Sequence, residues 1–196
     1  MVSQSKKTNT YYSRLGSTIV DLGNKFSTTE ADIMAMATRL GVAGKMVGLN
    51  SNQVLGLSTA LSSLGIEAAA GGSSVSKMLK TIDLSVSTGD KKLQKFAEVS
   101  GMTSQQFQKA WGEDAAGTFL KFVEGIGKSG DVTKTLADLG IKEVRQAQAM
   151  GALAQSSDVL ANALNVSKNA WQANSAMATE AEKRYGTLKS QMSQTW

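Results

Sequence analysis

The stretch from Gly41 to Lys80, GVAGKMVGLNSNQVLGLSTALSSLGIEAAAGGSSVSKMLK, decides the fold. Within it Val54, Leu57, Leu61 and Leu64 recur at three- and four-residue steps, which places them on one face of a 3.6-residue period. The segment before repeats the pattern with Ile33, Met36, Leu40 and Val47, and the segment after with Val75, Met78, Leu79, Ile82 and Val86. Three amphipathic helices therefore follow one another with their apolar faces converging on one core. The residues between them suit turning. Gly48 supplies the left-handed conformation that closes a helix. Asn50, with Gln53 three residues on, makes a capping box for the next one. Gly65 ends the middle helix, and Gly71-Gly72-Ser73-Ser74 predicts a bend whose hydroxyls cap the third.

Outward toward the N-terminus, Thr10 to Leu22 predicts a first helix with Leu15, Ile19 and Leu22 inward. Gly16 inside it costs about 1 kcal/mol relative to alanine. The polar residues Met1 to Asn9 are expected to fray. Gly23-Asn24 ends this helix, and Ser27-Thr28-Thr29-Glu30 reads as a capping box for a second one from Thr28 to about Val47, with a kink or early stop allowed near Gly41 and Gly44.

Outward toward the C-terminus, Thr88-Gly89-Asp90 leads into a short helix, Lys91 to Val99, that buries Leu93, Phe96 and Ala97 and closes at Gly101. Another starts after Thr103 with Phe107 and Trp111 four residues apart. A helix from Asp114 to Gly125 follows, presenting Ala116, Phe119, Leu120 and Val123, with Ile126 just beyond. Gly127-Lys128-Ser129-Gly130 reads as a loop, Asp131 caps a brief helix ending at Gly140, and Lys142 opens the next, with turns expected near Gly151 and at Ser156-Ser157-Asp158. Similar capping sequences at Gly48–Val54 and Gly101–Phe107 share no constant offset with the Leu64-Gly65-Ile66 and Leu139-Gly140-Ile141 pair, so there is no repeat period.

Beyond that, Leu160, Leu164, Trp171, Met177 or Ala178, Ala181, Tyr185, Leu188 and Met192 form a narrow stripe close to a heptad seam. It predicts one helix of about 35 residues and about 50 Å, projecting from the bundle and self-associating along its seam. The expected organisation is a compact multi-helical domain over residues 1–155 and an extended helix over 156–196, continuing toward the rest of a longer protein.

Composition narrows the chemistry. The 196 residues contain no proline, so glycine must do the turning, and no alternating apolar run predicts a strand. The expected class is all-α. With no cysteine and no histidine, the thiolate ligand, the usual general base and the imidazole ligand are missing. The net charge is +5 and the pI about 9.4, yet the cations are scattered, the densest group being Lys91, Lys92 and Lys95. They read as solvated helix faces. No run approaches the roughly 18–20 apolar residues of a membrane span. The opening MVSQSKK lacks the apolar region expected of a signal peptide.

Three features imitate sites. Gly125-Ile126-Gly127-Lys128-Ser129 ends like a phosphate-binding loop, but the position of the first required glycine is Phe122 and a helix precedes it where a strand is needed. Gly71 to Ser74 offers amides to an anion, though capping explains it. Glu113 with Asp114 and Glu180 with Glu182 are near neighbours in sequence, and such pairs do not face each other on a helix. No catalytic, cofactor-binding or metal-binding residue is expected, and the reading is of a protein that is not an enzyme. The nine methionines, Met34, Met36, Met46 and Met78 among them, read first as a soft core.

Leu61-Ser62-Ser63-Leu64-Gly65-Ile66-Glu67-Ala68 followed by Ala70-Gly71-Gly72-Ser73-Ser74 resembles the core domain of phage tail tape measure proteins, also called phage-related minor tail proteins. The resemblance continues in Tyr12-Ser13-Arg14-Leu15-Gly16, Thr29-Glu30-Ala31-Asp32-Ile33, Phe96 to Thr103 and Leu136 to Ile141, in the family's order over most of the chain. It implies a structural role: a fragment of the long helical protein that fixes tail length and nucleates tail tube assembly, then leaves the tube during genome delivery. The implied partners are tail assembly chaperones and the tail tube and tail tip proteins. The implied location is the phage tail lumen, and the host cytoplasm during assembly, with membrane contact only at genome delivery. The chain is far shorter than a complete family member, so the measuring function lies outside it. A DNA-binding helical bundle and a secreted or pore-forming helical protein are the alternative readings.

Overall fold

The computed structural model describes the backbone of residues 2–194 and the side chains of residues 7–185. Among the described residues there are eleven α-helices and no strand, the all-α multi-helix bundle that the pattern predicts.

The first helix, α1 (Val2–Lys25), is longer than expected: it begins at Val2 because nothing in the polar N-terminal run breaks a helix. The second, α2 (Glu30–Met46), is capped by Thr29, whose Oγ1 accepts the Asp32 amide at 3.1 Å. The cap is thus two residues later than the box at Ser27. Gly41 and Gly44 sit inside α2 without a break. Gly48 then takes φ 83°. The third helix, α3 (Ser51–Ser63), carries the expected capping box: Asn50 Oδ1 accepts the Gln53 amide and Gln53 Oε1 accepts the Asn50 amide, each at 3.0 Å.

The bend expected at Gly71-Gly72 is not there. The fourth helix, α4 (Ala68–Thr88), starts earlier and runs through both glycines, with no side-chain cap at Glu67. The turn is made by Gly65 alone, at φ 71°. Gly71 and Gly72 serve packing instead: a Cβ at Gly71 would lie 2.5 Å from Ile66 Cγ2, and one at Gly72 2.7 Å from Arg39 Cβ. Met36 and Arg39 face Gly72 while the Arg39 carbonyl accepts from Ser76 Oγ at 3.2 Å. These contacts hold α2 and α4 side by side.

At the centre stands α3, in which every residue from Leu55 to Leu61 is buried. A helix enclosed on all sides must satisfy its polar groups internally. Ser58 and Thr59 do so by donating to the carbonyls of Val54 and Leu55 at 2.7 and 2.8 Å.

The expected short helices follow as α5 (Lys91–Val99), α6 (Ser104–Glu113), α7 (Ala115–Gly127), α8 (Val132–Asp138) and α9 (Val144–Gln155). Phe96 of α5 meets Phe122 of α7 edge to face at 5.5 Å, and Phe107 stacks on Trp111 at 6.1 Å. Phe122, absent from the expected face of α7, is fully buried because α5 covers the side left open in a one-sided reading. Gly151 is a buried interior residue of α9 rather than a turn, and the chain breaks at Ser156.

The long C-terminal helix is the principal correction. Instead of one rod there are α10 (Ser157–Ala173) and α11 (Ala176–Gln194), separated by Asn174 in the left-handed conformation at φ 50°. Asn is among the few side chains that tolerate this. Its Oδ1 accepts from Ser13 Oγ at 3.0 Å, and the Met177 amide donates to Ser17 Oγ at 3.4 Å, with the Met177 thioether pressed over Gly16. The turn is therefore held by α1.

Packing contacts cross residue 156. Leu160 and Ala163 belong to the main core, Ser167 Oγ donates to the Asn52 carbonyl at 2.6 Å, and a Cβ on Gly56 would lie 3.0 Å from the Ala163 carbonyl oxygen. Of the stripe, Leu160 is buried and Leu164 packs against the core. The stripe's members Leu188 and Met192 lie outside the described side chains.

Candidate functional site

Each feature that imitated chemistry is occupied with architecture. Gly125 and Gly127 are inside α7, where a Cβ would strike the carbonyl oxygens of Val99 and Ala154, and Lys128 pairs with Glu124 at 3.7 Å. Glu113 lies 3.9 Å from Lys109, whereas Asp114 caps α7 by accepting the Gly117 amide at 3.1 Å and also accepts from Gln53 Nε2 at 3.2 Å. Glu180 pairs with Arg184 at 3.2 Å. Of the lysine group on α5, Lys95 donates to the Asp138 carbonyl at 2.8 Å. Among the described residues, no group of three His, Cys, Asp or Glu can hold a metal ion, and no helix is long and apolar enough to cross a membrane.

What the fold does assemble is a groove of about 840 Å³ where α1, α2, α3 and α10 meet. Met34, Ala37 and Gly41 form the α2 wall, Val54 and Leu55 the floor, and Tyr11 and Trp171 the rim. The two rings meet edge to face at 5.5 Å, the Tyr11 hydroxyl lies 2.8 Å from Ser51 Oγ, and Tyr12 stands 5.7 Å from Tyr11. Tyr11, Tyr12 and Met34 are exposed. Among the described residues, Lys45 is the single charge lining the groove. Such a surface offers rigid aromatic area with polar tips, which is suited to holding an apolar side chain.

The groove was not legible as a site. Trp171 counted as one member of the C-terminal stripe and Tyr11 as the start of a helix; only the return of α10 onto α3 brings them together. The one local signal was Gly41, a glycine inside a helix with no turn to make. No protein-family model matches this chain, and no curated protein and no solved structure matches it.

Proposed function

We propose that this chain is a structural component of a phage or prophage tail, a tape-measure-like core domain that acts by assembling with neighbours. The observation that carries the reading is the order of the five sequence blocks, from Tyr12 to Ile141, that resemble the family. The densest of them, Leu61 to Ser74, spans the end of α3, the Gly65 turn and the glycines of α4 that let α2 approach. Tail assembly chaperones and the tube and tip proteins are the partners in this reading. Self-association falls to α11, whose Met177 and Tyr185 are exposed, because in α10 Leu160 is buried and Leu164 packs against the core.

The test is an in-frame deletion of the coding segment in the source genome, with particles imaged after induction. Loss of tails is expected, and normal tails would overturn the proposal. For self-association, light scattering that shows a monomer at high protein concentration counts against the α11 contact.

A further inference from the structure

A second groove, of about 620 Å³, runs along the outer seam of α2 and α4 and has a different chemistry. Three cations line it, Arg39 from α2 and Lys77 and Lys80 from α4, together with Ser73, Ser76, Thr81 and Leu84, and no carboxylate. Ser76 and Thr81 already donate within the fold, to the carbonyls of Arg39 and Lys77 at 3.2 and 2.8 Å. Charge is therefore what the groove has to offer. Lys77 shows what it takes: Nζ lies 3.1 Å from Glu143 Oε2, an ion pair exposed on both sides that another carboxylate can replace.

Leu84 is the apolar member of the lining, and α2 carries further exposed apolar residues beyond Arg39. Val42 and Met46 follow Arg39 on the same side of α2 at three- and four-residue steps, and they are 70% and 63% exposed; Leu84 follows Lys80 on α4 at 62%. Val144, next to Glu143, is 68% exposed. These four are among the most exposed large apolar side chains of the described residues.

We infer that the α2–α4 seam is a docking groove for an amphipathic helix of a partner protein, one that carries carboxylates alongside an aliphatic stripe. Two helices running side by side leave a furrow that a third fills ridge into groove. The cations pair with the partner's acids and the exposed Val42, Met46 and Leu84 cover its apolar stripe. A lipid surface or a nucleic-acid backbone would engage the cations and leave the exposed aliphatic side chains of α2 without a role. This inference stands on the groove alone and is independent of the tail assignment.

The experiment is selection of displayed helical peptides of about 18 residues, about 27 Å long, on the full chain, followed by binding measurements with K77E/K80E and V42S/M46S. Both double variants change exposed residues, and their melting curves are compared with that of the parent chain. Enriched peptides are expected to carry Asp or Glu flanking aliphatic residues and to lose affinity by at least roughly tenfold on either variant. Replacing the peptide's acids by lysine is expected to restore binding to K77E/K80E. Binders without acidic bias, binders indifferent to both variants, or no helical binder at all would overturn the inference. So would a 20-base-pair DNA duplex, or vesicles of phosphatidylglycerol and phosphatidylcholine, that bind through Lys77 and Lys80 where no acidic peptide competes.

Discussion

Gly41 and Gly125 are both helical glycines, yet they answer to opposite constraints. A Cβ at Gly41 meets nothing within 4 Å, so Gly41→Ala should gain about 1 kcal/mol from helix propensity alone. At Gly125 the same atom would strike the Val99 carbonyl oxygen, a backbone atom that cannot swing aside. Gly125→Ala should lose about 2 kcal/mol even after the propensity gain. Urea midpoints moving in opposite directions check the pair; a common direction would refute the packing argument. Thr18 is fully buried in α1 and its Oγ1 has no hydrogen-bond partner. Thr18→Val removes an unpaired hydroxyl at nearly constant shape, so stability should rise by about 1 kcal/mol, read as a higher melting temperature. Alternation and spacing make neither effect legible, because each depends on which neighbour faces the residue across the interior.

Helix starts and stops were the most legible feature of the chain. Asn50, Asp90, Thr103 and Asp131 cap α3, α5, α6 and α8 as their sequence positions suggest. Asn50→Ala should therefore lower stability by about 1 kcal/mol, measured by urea titration. Two of the misplaced boundaries come from reading glycine as the mark of a turn. Gly71-Gly72 looks like a bend because glycine usually marks one, but here it is used for contact with α2. Asn174 does not look like a stop because no glycine or proline stands beside it, and the apolar stripe continues across it. Asn174→Val should cost about 1–2 kcal/mol for a β-branched residue in left-handed space, while Asn174→Gly should be close to neutral. Equal thermal stability of the two variants would argue that α10 and α11 are not broken there.

At the scale of the whole molecule, the C-terminal third completes the core begun by the first sixty residues. A chain ending at Gln155 loses Leu160, Ala163 and Ser167 from the face of α3, including the hydroxyl that reaches Asn52. That truncated chain should lose cooperative thermal unfolding and bind a dye for exposed apolar surface. Retention of the full chain's melting temperature would restore the division at residue 156. The same return of α10 creates the aromatic groove, so the truncation also removes one of its two rim rings.

Periodicity, caps and the absence of proline were enough to determine an all-helical chain, the inward faces of α2, α4, α5 and α6 and most of the turns, because these are local properties within reach of a few residues. The tertiary structure alone decided that α3 is enclosed on every side, that the C-terminal stripe splits into a core helix and a docked one, and that Tyr11 meets Trp171. Those outcomes depend on contacts between residues more than a hundred positions apart, and a helix face records only that something covers it, not what.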